Sequence, residues 1–366
     1  MDAHGENQNP ISEVAKYCRN LIPANIPELY ALNPILKNIA DEEQIRIGVI
    51  AFRDFLLDLF DRLISHGRQD VKPAKKAGNQ NKFLGYISNI LVDIGYHGKP
   101  SKSGDMLLAT NLPSCTASKP AIPVSAQREC LLFLTYCGFY FAGVDFDAKA
   151  FKMPEMLEVT YTKSPILLVG LRAMAFADME LRTTRRFKND NYLLRCDYRL
   201  LKAEKTDMLD ILKDYMHPLP VKVQELVIKL HKRYIDMGLT CVLTILGDDC
   251  IAYANISKNR KKLSPRDIYQ ERIWAFSYSL KHGYCLFVRA KKTQEYADVI
   301  ATFPLHLRKK IDKGYGCDRK LHNEPCRGGC QGICLPLDDG ILDISSEIEI
   351  WLDNEMPKQL HMCSVM

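Results

Sequence analysis

Apolar residues recur at helical spacing in four stretches of the chain. Residues 43–66 show one broad apolar face and predict the clearest helix. Residues 83–96 and 125–138 continue the pattern, and glycines at their ends predict where these two helices stop. A further helix is predicted over residues 221–239, where Gly238 suits the position after the last turn. The chain therefore has several amphipathic helices that need an apolar surface to pack on.

Short runs rich in β-branched and aromatic residues, bounded by Gly, Pro and Asp, predict strands between these helices. In the first half, an antiparallel sheet is predicted from YFAGVDF, MLEVTYT, PILLVGL and NYLLRCDYRL. In the second half, strands are predicted from TCVLTIL, CIAYANI, RIWAFSYSL and GYCLFVRA. The last two form a predicted hairpin that turns at Lys281-His282-Gly283. Residues 97–124, rich in Ser, Lys, Pro and Gly, predict an extended loop.

The order of these elements predicts an α+β protein with two domains, each with helices packed on a small, mostly antiparallel sheet. Residues 1–205 form the predicted N-terminal domain, helical and then β-rich. Residues 206–366 form the predicted C-terminal α+β domain with the cysteine cluster. At the boundary, KAEKTDMLDILKDYMHPLP predicts a helix and a turn, after which VKVQELVIKLHKRYIDMGL opens the domain. Its later helices are predicted from TQEYADVIATF, PLHLRKKIDKGY and ISSEIEIWLDNE.

Composition favours a globular protein in a reducing compartment. The 366 residues are 47% hydrophobic and 26% charged, which suits a folded core and argues against bulk disorder. No run of 18 apolar residues and no secretory signal is evident, so we expect a cytoplasmic protein without a membrane span. The 13 cysteines, an odd number, favour thiols over a disulfide framework. The terminal Cys363-Ser364-Val365-Met366 matches a prenylation box, but the basic second signal is missing.

Charge is distributed unevenly along the chain. Residues 202–337 carry 24 Lys and Arg against 15 Asp and Glu, whereas residues 338–366 carry one Lys against seven acidic residues. A basic block of this kind is compatible with binding of nucleic acid or a small anionic ligand. Two solvated faces that neutralise each other are the commoner explanation of such a pattern.

A cysteine cluster lies near the C-terminus. Cys317, Cys326, Cys330 and Cys334 follow the pattern C-x8-C-x3-C-x3-C, with glycines between them. Four thiolates so close in sequence predict a tetrahedral, structural zinc site that pins the last helix. The alternative is a cysteine-rich loop with buried thiols and no metal. Iron–sulfur chemistry is disfavoured because the last interval is one residue longer than in the radical-type pattern C-x3-C-x2-C.

Aromatic and basic residues alternate in the predicted hairpin. Trp274, Arg289, Lys291 and Lys292 are candidate ligand-binding residues, because an aromatic sheet face flanked by bases can stack and neutralise a nucleotide or another anion. Core packing is the alternative and the more frequent role of alternating aromatics in a hairpin. No metalloprotease, phosphate-loop, dinucleotide-binding or nucleophile-elbow motif appears.

Two C-terminal segments, EYADVIATFPLHLRKKIDKGYGC and LDDGILDISSEIEIWLDNE, resemble a family of bacterial cytoplasmic proteins with a cysteine- and glycine-rich segment near the C-terminus. LLFLTYCGFYFAGVDF and LRCDYRLL in the first half are similar to the same family. The resemblance implies a bacterial cytoplasmic protein and no particular activity.

Three functional hypotheses follow. The first is a non-enzymatic binding or regulatory protein with structural zinc. The alternatives are an enzyme acting on a small anionic substrate, and a nucleic-acid-binding protein.

Overall fold

The computed structural model divides the chain into two compact units, Met1–Thr206 and Asp207–Met366. It describes residues 10–70, 80–110, 112–118, 120–181, 192–246, 248–256, 268, 271–279, 283–290, 293–313 and 332–357. Eleven α-helices and two antiparallel sheets in these residues confirm the predicted α+β fold class. That each unit is a domain able to fold alone stays a prediction.

In its described residues, the first unit has six α-helices and a four-stranded sheet. The helices are α1 (Pro10–Arg19), α2 (Glu42–Asp70), α3 (Gln80–His97), α4 (Pro113–Thr116), α5 (Val124–Tyr136) and α6 (Ile166–Phe176). The strands are β1 (Lys99–Pro100), β2 (Met106–Ala109), β3 (Phe139–Ala142) and β4 (Leu157–Tyr161). Their spatial order is β1-β2-β4-β3, and all neighbouring strands are antiparallel.

Helix α6 is the central helix of the first unit, because it packs against both α2 and α3. Gly48 of α2 and Gly170 of α6 let the two backbones touch, since a Cβ atom on Gly170 would lie 2.0 Å from the carbonyl oxygen of Gly48. Gly95 gives α3 a similar approach, with a Cβ position 2.7 Å from the carbonyl oxygen of Leu171. Glycine normally weakens a helix interior, so close helix packing is the physical reason for glycine at these positions.

Four sequence predictions for the first unit are wrong. PILLVGL lies at the start of α6 and is not a strand, and burial of Leu167, Leu168 and Leu171 leaves too narrow a polar face for helical spacing to be recognised. NYLLRCDYRL forms two 3₁₀ helices, Tyr192–Arg195 and Tyr198–Leu201. Residues 97–124 contain β1, β2 and α4, so they are not an extended loop, and α3 continues past Gly95.

The second unit has five α-helices and a five-stranded sheet in its described residues. The helices are α7 (Met208–Met216), α8 (Val221–Asp236), α9 (Ala297–Ala301), α10 (Leu305–Lys313) and α11 (Ser345–Glu355). The strands are β5 (Thr240–Leu246), β6 (Asp248–Ala254), β7 (Arg272–Ser279), β8 (Gly283–Arg289) and β9 (Gly332–Pro336). They lie in sequence order and pair antiparallel throughout.

The helices of the second unit cover one face of this sheet, which we call the core face. Side chains from all five strands form a single apolar cluster there with residues of α7, α8, α10 and α11.

Helices α7 and α8 and strands β5 to β8 confirm the predicted elements, and Gly238 has the left-handed φ of 96° expected after a helix end. Strand β9 was not predicted, because it lies inside the cysteine segment. No helix in the described part of the chain is long and apolar enough to cross a membrane.

Replacing Gly170 with alanine should destabilise the first unit by about 2 kcal/mol or more, because the added methyl group must push α6 away from the α2 backbone. Denaturant unfolding followed by far-UV circular dichroism measures this loss. Gly340→Ala is the control, since its Cβ atom would meet only a side-chain oxygen of Asp338, 3.2 Å away. Equal stability of Gly170→Ala and the control would contradict the close packing of α2 and α6.

Candidate functional site on the second sheet

Both regions that the sequence singles out contribute residues to the face of the five-stranded sheet opposite the core face. We call it the second face. Successive side chains of a strand point to opposite faces, and the register aligns Ala252, Ala275, Phe287 and Cys334 across four strands. Ala252 and Ala275 form a separate small apolar cluster with Ile268, against which Phe287 packs. The second face is therefore partly covered and carries its own packing.

Trp274 belongs to the core face. Its ring stacks on the Tyr253 ring with a centroid separation of 3.7 Å and an interplanar angle of 2°, and none of its surface is exposed. Trp274 pairs with Val288 of β8, so these two side chains point to the same face. The next residue on β8, Arg289, therefore points to the opposite face. Trp274 and Arg289 do not face a common binding surface, and the burial of Trp274 agrees with core packing.

Two arginines lie at one end of the second face. Arg272 is only two residues before Trp274, but it reaches this face because the pairing of β6 with β7 shifts in register between Tyr253 and Ala254. The Arg272 guanidinium carbon is 3.6 Å from the centroid of the Phe287 ring, a cation–π contact. Arg289 donates from Nη1 to the carbonyl oxygen of Arg272 at 3.5 Å. Both side chains are buried, with exposed fractions of 8%. The structure thus brings a second arginine, Arg272, next to the predicted Arg289.

The Phe287 ring is placed by a glycine on the neighbouring strand. Gly332 lies beside it on β9, and a Cβ atom there would be 2.0 Å from the ring. A side chain at Gly332 would displace Phe287 and the guanidinium group that rests on it. Lys291 and Lys292 lie outside the described residues.

Cys334 is the one member of the cysteine cluster within the described residues. It lies on β9, half-buried, opposite Phe287. Cys285 of β8 points to the same face and pairs with Pro336, which makes Cys285 and Cys334 diagonal neighbours. Such neighbours have Cα atoms about 7–8 Å apart. Cys317, Cys326 and Cys330 lie outside the described residues, and within those residues no three His, Cys, Asp or Glu side chains are grouped to hold a metal ion.

Sequence reasoning missed Cys285 and Arg272 as neighbours of the predicted site residues. The signal for Cys285 was present, because alternation along GYCLFVRA places Cys285, Phe287 and Arg289 on one face. The partner strand β9 was the missing information. Without β9, Cys285 reads as a small core residue, and its exposed fraction of 1% agrees with that interpretation.

Several other thiols in the described residues lie in environments that oppose nucleophilic chemistry. Burial raises the pKa of Cys115 and of Cys241 to about 12. Burial also raises the pKa of Cys130 and of Cys196, with nearby acidic residues adding to the effect. A thiol attacks as its thiolate, so these four cysteines are poor nucleophiles at neutral pH.

The core face holds a small polar network centred on Tyr253. The Tyr253 hydroxyl lies 2.8 Å from Nδ1 of His231 and also hydrogen-bonds Cys241 on the neighbouring strand. His231 is 7% exposed, and its burial lowers the pKa of the imidazole below the ordinary value. The network is neutral at pH 7 and satisfies polar groups in an apolar core.

A scan against protein-family models finds no match for the chain, and searches of curated proteins and of solved structures find no significant match. The resemblance to a bacterial family therefore stays a prediction.

Proposed function

We propose that the chain is a non-enzymatic binding or regulatory protein whose C-terminal unit is stabilised by a structural zinc ion. The ligands are Cys317, Cys326, Cys330 and Cys334. The observation that carries the proposal is the position of Cys334 on β9, with a second thiol, Cys285, diagonally across on the same face. Two adjacent strands thus direct thiols to the same face of the sheet.

A site of four thiolates has a structural role. It leaves no coordination position for water or substrate, so zinc would act as a cross-link and not as a catalyst. Strand β9 has five residues and pairs with β8 alone among the described strands. An edge strand this short gains from a covalent-like anchor at Cys334. Cys285 is the reserve ligand. It is included because three residues separate the last cysteines of the cluster, whereas two residues usually separate paired zinc ligands.

Protein purified under reducing, chelator-free conditions should contain about one equivalent of zinc. Elemental analysis of metal per protein chain measures this. Zinc removal should lower the denaturant midpoint of the second unit, because metal binding stabilises only the folded state. Tryptophan fluorescence reports on this unit alone, since both tryptophans, Trp274 and Trp351, lie in it. A content below about a tenth of an equivalent would overturn the zinc proposal.

Cys334→Ser should abolish zinc retention, and Cys241→Ser is the matched control. Cys241 is also half-buried and lies on the same sheet, but it points to the core face and contacts Tyr253. Cys285→Ser decides whether the reserve thiol is used. Retention of zinc by Cys285→Ser assigns the site to the four clustered cysteines, and loss of zinc assigns Cys285 to the ligand set. Loss of zinc in Cys241→Ser as well would point to general unfolding and contradict a local site.

The pair of arginines on the second face favours a second candidate function, binding of a small anionic ligand. Arg272 and Arg289 direct two guanidinium groups to one end of the face, and Lys291 and Lys292 follow β8 in the chain. Guanidinium groups bind phosphate and carboxylate in two-point geometry, which suits recognition of a small anion. Aromatic stacking on Trp274 has no part in this version of the site, because Trp274 is buried on the other face.

Titration calorimetry with ATP and with inorganic pyrophosphate tests this candidate. Arg289→Gln should weaken binding about 10- to 100-fold, the effect of losing one charged hydrogen-bond pair. Lys232→Gln, an exposed change on α8, is the control and should leave the affinity unchanged. Equal affinity in Arg289→Gln, Lys291→Gln and the parent protein would exclude the anion site. Binding of a single-stranded oligonucleotide that falls steeply with salt would instead favour the nucleic-acid alternative.

A further inference from the structure

Helix α8 contacts the sheet through a directional chain of hydrogen bonds. Tyr253 of β6 is fully buried, and its hydroxyl joins His231 of α8 to Cys241 of β5. Its ring also meets the His231 ring edge-on at 5.6 Å and stacks on Trp274 of β7. One tyrosine therefore connects a helix with three adjacent strands.

The hydroxyl of Tyr253 has one proton to donate, which gives the chain a direction. With a neutral imidazole protonated at Nε2, the Tyr253 hydroxyl donates to Nδ1, and the Cys241 thiol donates to the Tyr253 oxygen. Protonated histidine has no acceptor, so Nδ1–H must donate to the Tyr253 oxygen. The tyrosine proton must then turn toward the Cys241 sulfur, which is a weak acceptor. Protonation of His231 thus removes Nδ1, a strong acceptor for the tyrosine proton, and leaves the Cys241 sulfur, a weak one. It also places a positive charge in a buried position.

Charged neighbours of His231 come from its own helix and from α7. Asp207, which caps α7, and Asp236 of α8 favour the protonated ring, whereas Lys232 opposes it. Two other elements packed on α8 also carry charges. The 3₁₀ helix Asp339–Ile344 contains Asp339 and Asp343, and Glu349 and Asp353 of α11 pair with Lys229 and Arg233. The two carboxylates that act on His231 do not offset its burial, which is the largest influence on the ring.

We propose that His231 is an acid-sensitive latch that holds α8 on the sheet through Tyr253 and releases it when the imidazole is protonated. The latch is separate from the second face, because Tyr253 and Trp274 point to the core face. It would give the second unit a response to pH that needs neither zinc nor an anionic ligand.

The direction of the pH effect follows from burial. Because the folded state holds the pKa of His231 below the ordinary value of about 6.5, the unfolded chain takes up the proton first as the pH falls. The contribution of neutral His231 to the stability of the fold is fully present above pH 6.5. It is lost as the pH drops from there through the pKa of His231 in the folded state. For each unit by which folding lowers the pKa of His231, its protonation reduces the ratio of folded to unfolded protein about tenfold.

Urea unfolding of the full chain, followed by tryptophan fluorescence at pH values between 7.5 and 5, tests the latch. The parent protein should show a urea midpoint that falls below pH 6.5. His231→Gln keeps a hydrogen-bond acceptor for Tyr253 and does not titrate, so its midpoint should fall markedly less. His306→Gln, an exposed change on α10, is the control and should follow the parent protein. The same fall in His231→Gln as in the parent protein would overturn the proposal.

The titration of His231 itself gives a second measurement if His231→Gln does not fold. Proton or carbon NMR of the imidazole in the parent protein follows the ring directly over the same pH values. A titration midpoint below 6.5, accompanied by a change in the tryptophan signal, supports the latch. A midpoint at or above 6.5, or a titration without any change in the tryptophan signal, contradicts it.

Discussion

The alternation of side chains along the five-stranded sheet decides what the second unit can do. Each strand sends successive residues to opposite faces, so each residue of a motif such as GYCLFVRA belongs to one of two environments. Helices cover the core face, where Tyr253, Trp274 and Phe276 pack in an apolar cluster. The thiols of Cys285 and Cys334 and the two guanidinium groups lie on the other face. A one-residue shift in register would exchange the two sets, and the apolar core prevents that shift.

This separation of faces explains why the aromatic and basic residues of the hairpin do not form one site. In sequence, Trp274 and Arg289 look like parts of one binding surface, but strand pairing turns them away from each other. The aromatic residue that does accompany Arg289 is Phe287, two positions earlier on the same strand. The separation also allows the two proposals for the unit to be tested separately, since the His231 network and the cysteine face use different sides of the sheet.

Sequence patterns predicted helices with a clear polar side and strands with a clear composition. Helix α2 and helix α8 keep a polar side, so their apolar periodicity is visible, and strands β5 to β8 are rich in β-branched and aromatic residues. Helix α6 is largely buried and reads as a strand, because its leucines follow one another without a broad polar face. Strand β9 is short and flanked by glycine and proline, so its pairing with β8 depends on a partner distant in sequence. For the same reason, the sequence suggested Cys334 and Arg289 as candidates but could not show that they share a face with Cys285 and Arg272.

Charge links the two candidate functions of the second face. Four thiolates around a zinc ion leave a net negative charge, and buried negative charge needs nearby cations or hydrogen-bond donors. Arg272 and Arg289 lie on the face that carries Cys334, and Arg289 is opposite Gly332, two residues before that cysteine. The same guanidinium groups would therefore neutralise a zinc–thiolate centre or bind an external anion. One cation cannot fully compensate the charge of both the zinc–thiolate centre and an external anion. A fully occupied zinc site and tight anion binding beside it therefore oppose each other. The arginines are most simply understood as part of whichever centre is permanently present.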